Sequence, residues 1–122
     1  MTWGIIIPRW RPTTANELLR KHWAVRARMK KADAGMVRAY CVQCGVPDAK
    51  VRRRVRFRIV QTDKGRRAGR GLDGDACLKS GLDALVHARM LVDDSPRWCI
   101  CEPPVIERGE PRTEIILEDL EN

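Results

Sequence analysis

The chain has 122 residues, of which 43% are hydrophobic and 33% charged, and its formal net charge is +8. A chain of this length buries about two-thirds of its unfolded surface, which predicts one compact domain over residues 1–122. No apolar run approaches the ~20 residues that a membrane span needs, and the N-terminus lacks a basic leader before an apolar core. These features exclude a membrane partner and predict a cytoplasmic protein.

The two halves of the chain carry opposite charge. Residues 1–70 hold 19 Lys and Arg against 4 Asp and Glu, while residues 71–122 hold 5 against 12. Clustered Lys and Arg displace counterions from phosphates, so the basic half favours a nucleic acid as partner. A solvated surface that keeps the protein soluble is the simpler alternative.

The first elements are a strand and a long basic helix. The β-branched run 3–7 ends before Pro8 and predicts a buried strand. Thr14 and Glu17 have the spacing of a capping box, which predicts that a helix starts there. Apolar residues then recur at three- and four-residue intervals as far as Gly45, with an interruption near Gly35 left open.

Residues 51–60, VRRRVRFRIV, alternate between apolar and basic side chains and predict a second strand. One side of this strand carries four arginines, and we interpret it as a phosphate-contacting surface. The competing interpretation is that this is an exposed edge strand whose charged side chains protect it against aggregation. The arginines are Arg52, Arg54, Arg56 and Arg58.

A polar, glycine-containing loop follows at 61–71 and adds three basic side chains to the predicted nucleic-acid surface, Arg66, Arg67 and Arg70. A second helix is predicted from Asp73 or Asp75 to about Ala88, and two strands follow in RWCICE and RTEIILED. The order β-α-β-α-β-β predicts an α/β (α+β) fold with a small mixed sheet and two main helices.

Aspartates are concentrated between positions 73 and 94. Asp73 and Asp75 could simply cap the second helix, and Lys79 could form an ordinary ion pair one turn after Asp75. Together with the pair Asp93-Asp94, they also offer the several oxygen ligands that Mg²⁺ requires from separate segments.

At this point the chain resembles the RusA-type Holliday junction endodeoxyribonucleases over nearly its whole length. The apolar N-terminal strand and the Pro-rich loop that leads to Asn16 are also similar to the family. Ala76 departs from the Asn that usually follows the second aspartate. The motif residues that match are Asp73, Asp75, Lys79, Asp83-Ala84-Leu85 and Asp93-Asp94.

The resemblance implies a homodimer that cuts four-way DNA junctions by paired symmetric nicks. By the same resemblance, Asp73, Asp75 and Asp94 would bind Mg²⁺, for which Mn²⁺ could substitute. Lys79 would contact the scissile phosphate or orient the attacking water, and Asn16 would contact DNA.

Three further features leave alternatives open. Cys41-x-x-Cys44 and Cys99-x-Cys101 could hold zinc, but their predicted positions on apolar faces favour buried thiols. Trp10 could stack on an unpaired base or pack over the sheet edge. The second class of function is a non-catalytic protein that binds branched DNA, which would need no Mg²⁺.

Overall fold

The computed structural model describes residues 1–62 and 74–120, and for residues 15, 16 and 74–76 it describes the backbone alone. These parts of the chain form three helices and one five-stranded sheet, so the predicted α+β class is confirmed. The helices are α1 (Ala15–Leu19), α2 (Trp23–Gln43) and α3 (Gly74–His87). The strands are β1 (Thr2–Pro8), β2 (Arg53–Gln61), β3 (Cys99–Cys101), β4 (Val105–Arg108) and β5 (Arg112–Asp119).

The sheet is mixed, with β5 between β1 and β2. Strand β5 pairs antiparallel with β1 and with β2. The other edge of β2 is shared by two short strands that both run parallel to it: β3 along residues 53–55 and β4 along residues 58–61. The chain passes from β2 through α3 to β3 and so forms the crossover that parallel neighbours require.

One face of the sheet packs against the helices and forms the core. Alternate residues of β2, namely Val55, Phe57 and Ile59, are buried, as their spacing predicted. Their neighbours in β5, Ile115 and Leu117, are also buried. The arginines between these β2 residues therefore lie on the outer face of the sheet.

Arg53 lies on the inner face and is 1% exposed. Its Nε donates to Asp119 Oδ1 at 2.7 Å, while Nη1 and Nη2 donate to the carbonyl oxygens of Met90 and Pro47, each at 3.0 Å. The guanidinium carbon lies 4.9 Å from the centre of the Trp3 ring. The buried charge is thus hydrogen-bonded on three sides, which offsets the cost of removing it from water.

Two predicted boundaries were wrong. The first helix does not continue from Thr14 to Gly45, because α1 ends at Leu19 and His22 caps a new helix by accepting from the Ala24 amide at 3.3 Å. The capping box at Thr14 is confirmed. Residues 105–108, predicted as a turn, form β4, so three strands follow α3 rather than two.

None of the described helices is both long enough and apolar enough to cross a membrane.

Replacing Arg53 by Met should lower the free energy of unfolding by about 3 kcal/mol, because the carboxylate and carbonyl groups around it would lose their donors. Urea unfolding followed by circular dichroism measures the change. Arg56→Met is the matched control on the outer face and should change it by less than about 0.5 kcal/mol. Equal effects of the two substitutions would contradict the role assigned to Arg53.

Candidate functional site

The outer face of β2 carries a ladder of ion pairs rather than a row of unpaired arginines. Glutamates from the flanking strands and loops lie beside three of the four. The pairs are Arg54 with Glu118 (2.9 Å) and Glu102 (3.6 Å), Arg56 with Glu102 (3.4 Å), and Arg58 with Glu107 and Glu114 (3.5 Å to the latter).

This ladder leaves the outer face with little unbalanced positive charge. The hydrogen bond from Arg58 holds the pKa of Glu107 below its ordinary value, so the carboxylate stays ionised at neutral pH. Arg52 precedes the strand, and its Nε is buried without an acceptor among the described residues. The ladder is itself a sufficient explanation for the arginine pattern, and phosphate contact by these side chains stays a prediction.

The alternation of glutamates in β5 was the sequence signal for this ladder. Glu114 and Glu118 lie directly across from Arg58 and Arg54 in the register of the antiparallel pair. Opposite charges at facing positions stabilise such a pair, whereas a row of arginines alone would repel. The sequence prediction considered the strand by itself and therefore missed its partners.

The loop after β1 is clamped to α2 by Asp33. Trp10 Nε1 donates to Asp33 Oδ1 at 3.2 Å, and both the amide and the hydroxyl of Thr13 donate to Oδ2, at 3.2 and 2.9 Å. Trp10 is half-buried and packs against the core. These contacts support the packing interpretation of Trp10 rather than stacking on a base.

A cleft of about 220 Å³ lies between this loop and the end of β2, lined by Arg9, Trp10, Arg11, Val60, Gln61, Thr62 and Pro111. Arg9 has a left-handed backbone (φ 55°), and its backbone amide donates a hydrogen bond to the Pro111 carbonyl at 2.8 Å. The side-chain nitrogen of Gln61 is buried and has no acceptor among the described residues. Two arginines and an unpartnered amide donor make this cleft suited to an anion.

Helix α3 approaches the same loop through Gly81. A Cβ at this position would lie 2.9 Å from Cζ of Phe57 and 3.3 Å from Cγ of Pro12, so a glycine permits the close approach. Lys79, two residues earlier, has an exposed side chain. Asp83 and His87 face α2 instead, where they line a cavity of about 10 Å³.

The segment that carries Asp94 is anchored at the other end of α3. The Met90 carbonyl accepts from the Arg53 side chain, and the Trp98 carbonyl accepts from the Arg53 amide at 3.1 Å. Asp94 is exposed. Burial raises the pKa of the Cys99 thiol, and the nearby negative charge of Asp94 raises it further. The helix extends about 20 Å from its first turn to this end.

Several predicted residues fall where the structure gives no side chain. Asp73 and the loop arginines Arg66, Arg67 and Arg70 lie outside the described residues. Asp75 and Asn16 are described by their backbone alone, in the first turns of α3 and α1. The structure therefore does not test the grouping of Asp73, Asp75 and Asp94, which stays a prediction.

The cysteines do not form a common cluster. Cys41 and Cys99 are buried, whereas Cys44 caps the C-terminal end of α2 and is exposed. Among the described side chains, no three of His, Cys, Asp and Glu are grouped closely enough to hold a metal ion.

No protein-family model matches the chain, and no curated protein is significantly similar to it.

Replacing Gly81 by Ala should push α3 away from Phe57 and Pro12 and lower the free energy of unfolding by about 1–3 kcal/mol. Gly35→Ala is the matched control within α2, where an added methyl group meets nothing within 4 Å. It should raise the free energy of unfolding by about 0.5–1 kcal/mol, because alanine favours the helix. Chemical denaturation measures the free energy of unfolding of both variants. An unchanged free energy of unfolding in Gly81→Ala would contradict the packing described.

One thiol per chain should react rapidly with an aromatic disulfide reagent at pH 8. Burial raises the pKa of Cys41 to about 12 and that of Cys101 to about 11, so both stay protonated. Cys44 is exposed and should account for the fast phase. Absorbance of the released thiolate gives the count, and Cys44→Ser should abolish the fast phase. Protection of Cys44 that a chelator relieves would instead favour the zinc alternative.

Proposed function

We propose that this protein is a Mg²⁺-dependent endonuclease that acts on branched DNA, including four-way junctions, and that it works as a homodimer. The observation that carries the proposal is the position of the aspartate motif. Helix α3 begins at Gly74, which puts Asp75 in its first turn and Lys79 one turn later with an exposed side chain. The motif follows the strand whose end lines the anion-suited cleft.

The donor chemistry of the motif fits the proposed metal. Asp75 is in the first turn of α3, and Asp73 comes two residues before it in the sequence. Both offer hard carboxylate oxygens, and Mg²⁺ prefers such ligands together with water and phosphate. When bound, the ion would lower the pKa of a water molecule and neutralise charge on the reacting phosphate. Lys79 would donate to a non-bridging phosphate oxygen as negative charge develops on it.

The cleft would hold the adjoining phosphate. Arg9 supplies an exposed cation, and the buried amide nitrogen of Gln61 supplies a donor that has no protein acceptor among the described residues. Arg11 is paired with Glu17 at 2.7 Å and would contribute less. A phosphate seated there would fix the DNA strand relative to α3, which limits cleavage to one bond.

Asp94 is the weakest member of the proposed ligand set. Its segment is held near Arg53 at the C-terminal end of α3, whereas Asp75 is in the first turn. Asp94 can join Asp75 only if residues 92–95 extend back along the helix or if a second copy supplies this carboxylate. A two-fold dimer suits a junction because both present two equivalent strands.

Asp75→Asn should reduce Mg²⁺-dependent nicking of a labelled four-way junction at least about a thousandfold, and Lys79→Ala about a hundredfold. Binding to the same junction in EDTA should persist in both variants. Asp83→Asn is the control on the same helix, since Asp83 lines the small cavity against α2, and it should retain most activity. Gel separation of the products measures the rates. Cleavage by Asp75→Asn at the wild-type rate would remove this residue from the mechanism.

The same assay with Asp94→Asn tests whether Asp94 is the third metal ligand. A loss as large as that of Asp75→Asn keeps Asp94 in the set, whereas a wild-type rate removes it.

The second candidate is a non-catalytic protein that binds branched DNA, and the basic surface of α2 favours it. Such a protein would bind junctions in EDTA with an affinity that falls steeply with salt, and it would leave them intact when Mg²⁺ is added.

A further inference from the structure

The segment from Arg20 to Lys31, which includes the first turns of α2, is rich in positive charge. Six cations and no acidic residue occur between positions 20 and 31. None of the six forms an ion pair with another described residue, in contrast to the arginines of β2. They are Arg20, Lys21, Arg26, Arg28, Lys30 and Lys31.

Trp23 lies in the middle of these cations and is 68% exposed. Trp23 is the first residue of α2 and lies outside the hydrophobic core. Its ring centre lies 5.4 Å from that of His22, an orientation that leaves most of the indole in solvent. The Trp23 side chain does not pack in the hydrophobic core, so core packing does not explain why a tryptophan occurs at this position.

A shallow groove of about 370 Å³ begins at Ala27, one helical turn after Trp23. Positions 23, 27, 30 and 34 share one face of α2, since they follow the three- and four-residue spacing of a helix. Alanines form the floor of the groove, and cations flank it. Its lining residues are Ala27, Lys30, Lys31, Ala34 and His87.

The groove lies beside His87, at the C-terminal end of α3, and follows α2 from there toward its N-terminal end. Helices α2 and α3 run in the same direction: Arg38 donates to the carbonyl of Ala88, and Lys30, earlier in α2, shares a cavity with Ser80, earlier in α3. The end of α2 that carries Trp23 therefore extends toward the end of α3 that carries Asp75. A strand that continued beyond Trp23 would run in the direction of the N-terminal end of α3.

We infer that this face of α2 binds a single nucleic-acid strand with unpaired bases. One base stacks on Trp23, and the phosphates that follow contact Lys30 and Lys31 over the alanine floor. The distance from residue 23 to residue 34 is about 16 Å, which accommodates roughly five stacked nucleotides. The inference rests on the proposed function only in taking the polymer to be DNA.

An acidic peptide is the competing occupant, and the structure favours a nucleic acid over it. A peptide that used the cations would need apolar side chains to cover the groove, and its floor offers only the small alanines Ala27 and Ala34. A flat exposed indole beside regularly spaced cations matches the alternation of base and phosphate along a strand.

The test measures binding of the full chain to fluorescein-labelled DNA by anisotropy, in EDTA so that no cleavage occurs. The probes are a 12-nucleotide single strand and a blunt duplex of the same sequence. Trp23→Ala should weaken binding to the single strand about 5- to 100-fold, and Trp23→Phe should recover most of that loss because a phenyl ring also stacks. Duplex affinity should change less than threefold.

Lys30→Ala/Lys31→Ala should reduce the dependence of log affinity on log salt by about 1.4 for the single strand, corresponding to two fewer phosphate contacts. The matched control is Lys50→Ala/Arg97→Ala, which removes the same charge from two exposed residues outside the proposed surface. It should leave this salt dependence nearly unchanged.

The outcomes separate this inference from the nuclease proposal. If Trp23→Ala weakens binding to the single strand and to the duplex equally, or weakens neither, the inference is wrong. This holds whether or not Mg²⁺-dependent cleavage occurs. Selective loss of single-strand binding in a protein that cleaves nothing supports the inference and rejects the nuclease. Binding of a Glu-rich peptide that single-stranded DNA fails to displace also overturns it.

Discussion

The buried guanidinium of Arg53 is the interaction on which the arrangement of this fold depends. It connects the carboxylate of Asp119 at the end of β5 with the carbonyl groups of Pro47, before β2, and Met90, after α3, and it contacts the ring of Trp3 in β1. A buried cation is costly without such partners, so the surrounding segments can occupy only positions that supply them. The position of α3 over the sheet, and with it the start of the aspartate motif, follows from this constraint.

Positive charge is used in two physically different ways in this molecule. On the outer face of the sheet, arginines and glutamates alternate across strands, and their opposite charges cancel within a few ångströms. In the first turns of α2, lysines and arginines form no ion pair with a described carboxylate, so their field extends into solvent. Net charge alone could not distinguish these surfaces, because the distinction depends on which segments are neighbours. The cations of α2 therefore attract a polyanion more strongly than the paired arginines of β2 do.

Local patterns predicted the elements better than the contacts between them. The alternation of β2 correctly predicted Val55 and Phe57 as inward residues, and the same parity applies to Arg53, whose partners are 37 and 66 residues away from it. No local pattern encodes such pairs. The capping box predicted the start of α1, but the restart at His22 depends on a single side-chain acceptor. For the site, the motif that opens α3 was evident in the sequence, whereas the cleft beside it arises from segments about fifty residues apart.

The short strands β3 and β4 occupy one edge of the sheet in two separate pieces. Pro103 and Pro104 lie between them, and neither residue has an amide hydrogen to offer an incoming strand. An extended chain that docked along this edge would find its hydrogen-bonding pattern broken at the midpoint. The break lowers the tendency of this edge to recruit other chains into larger β-structures.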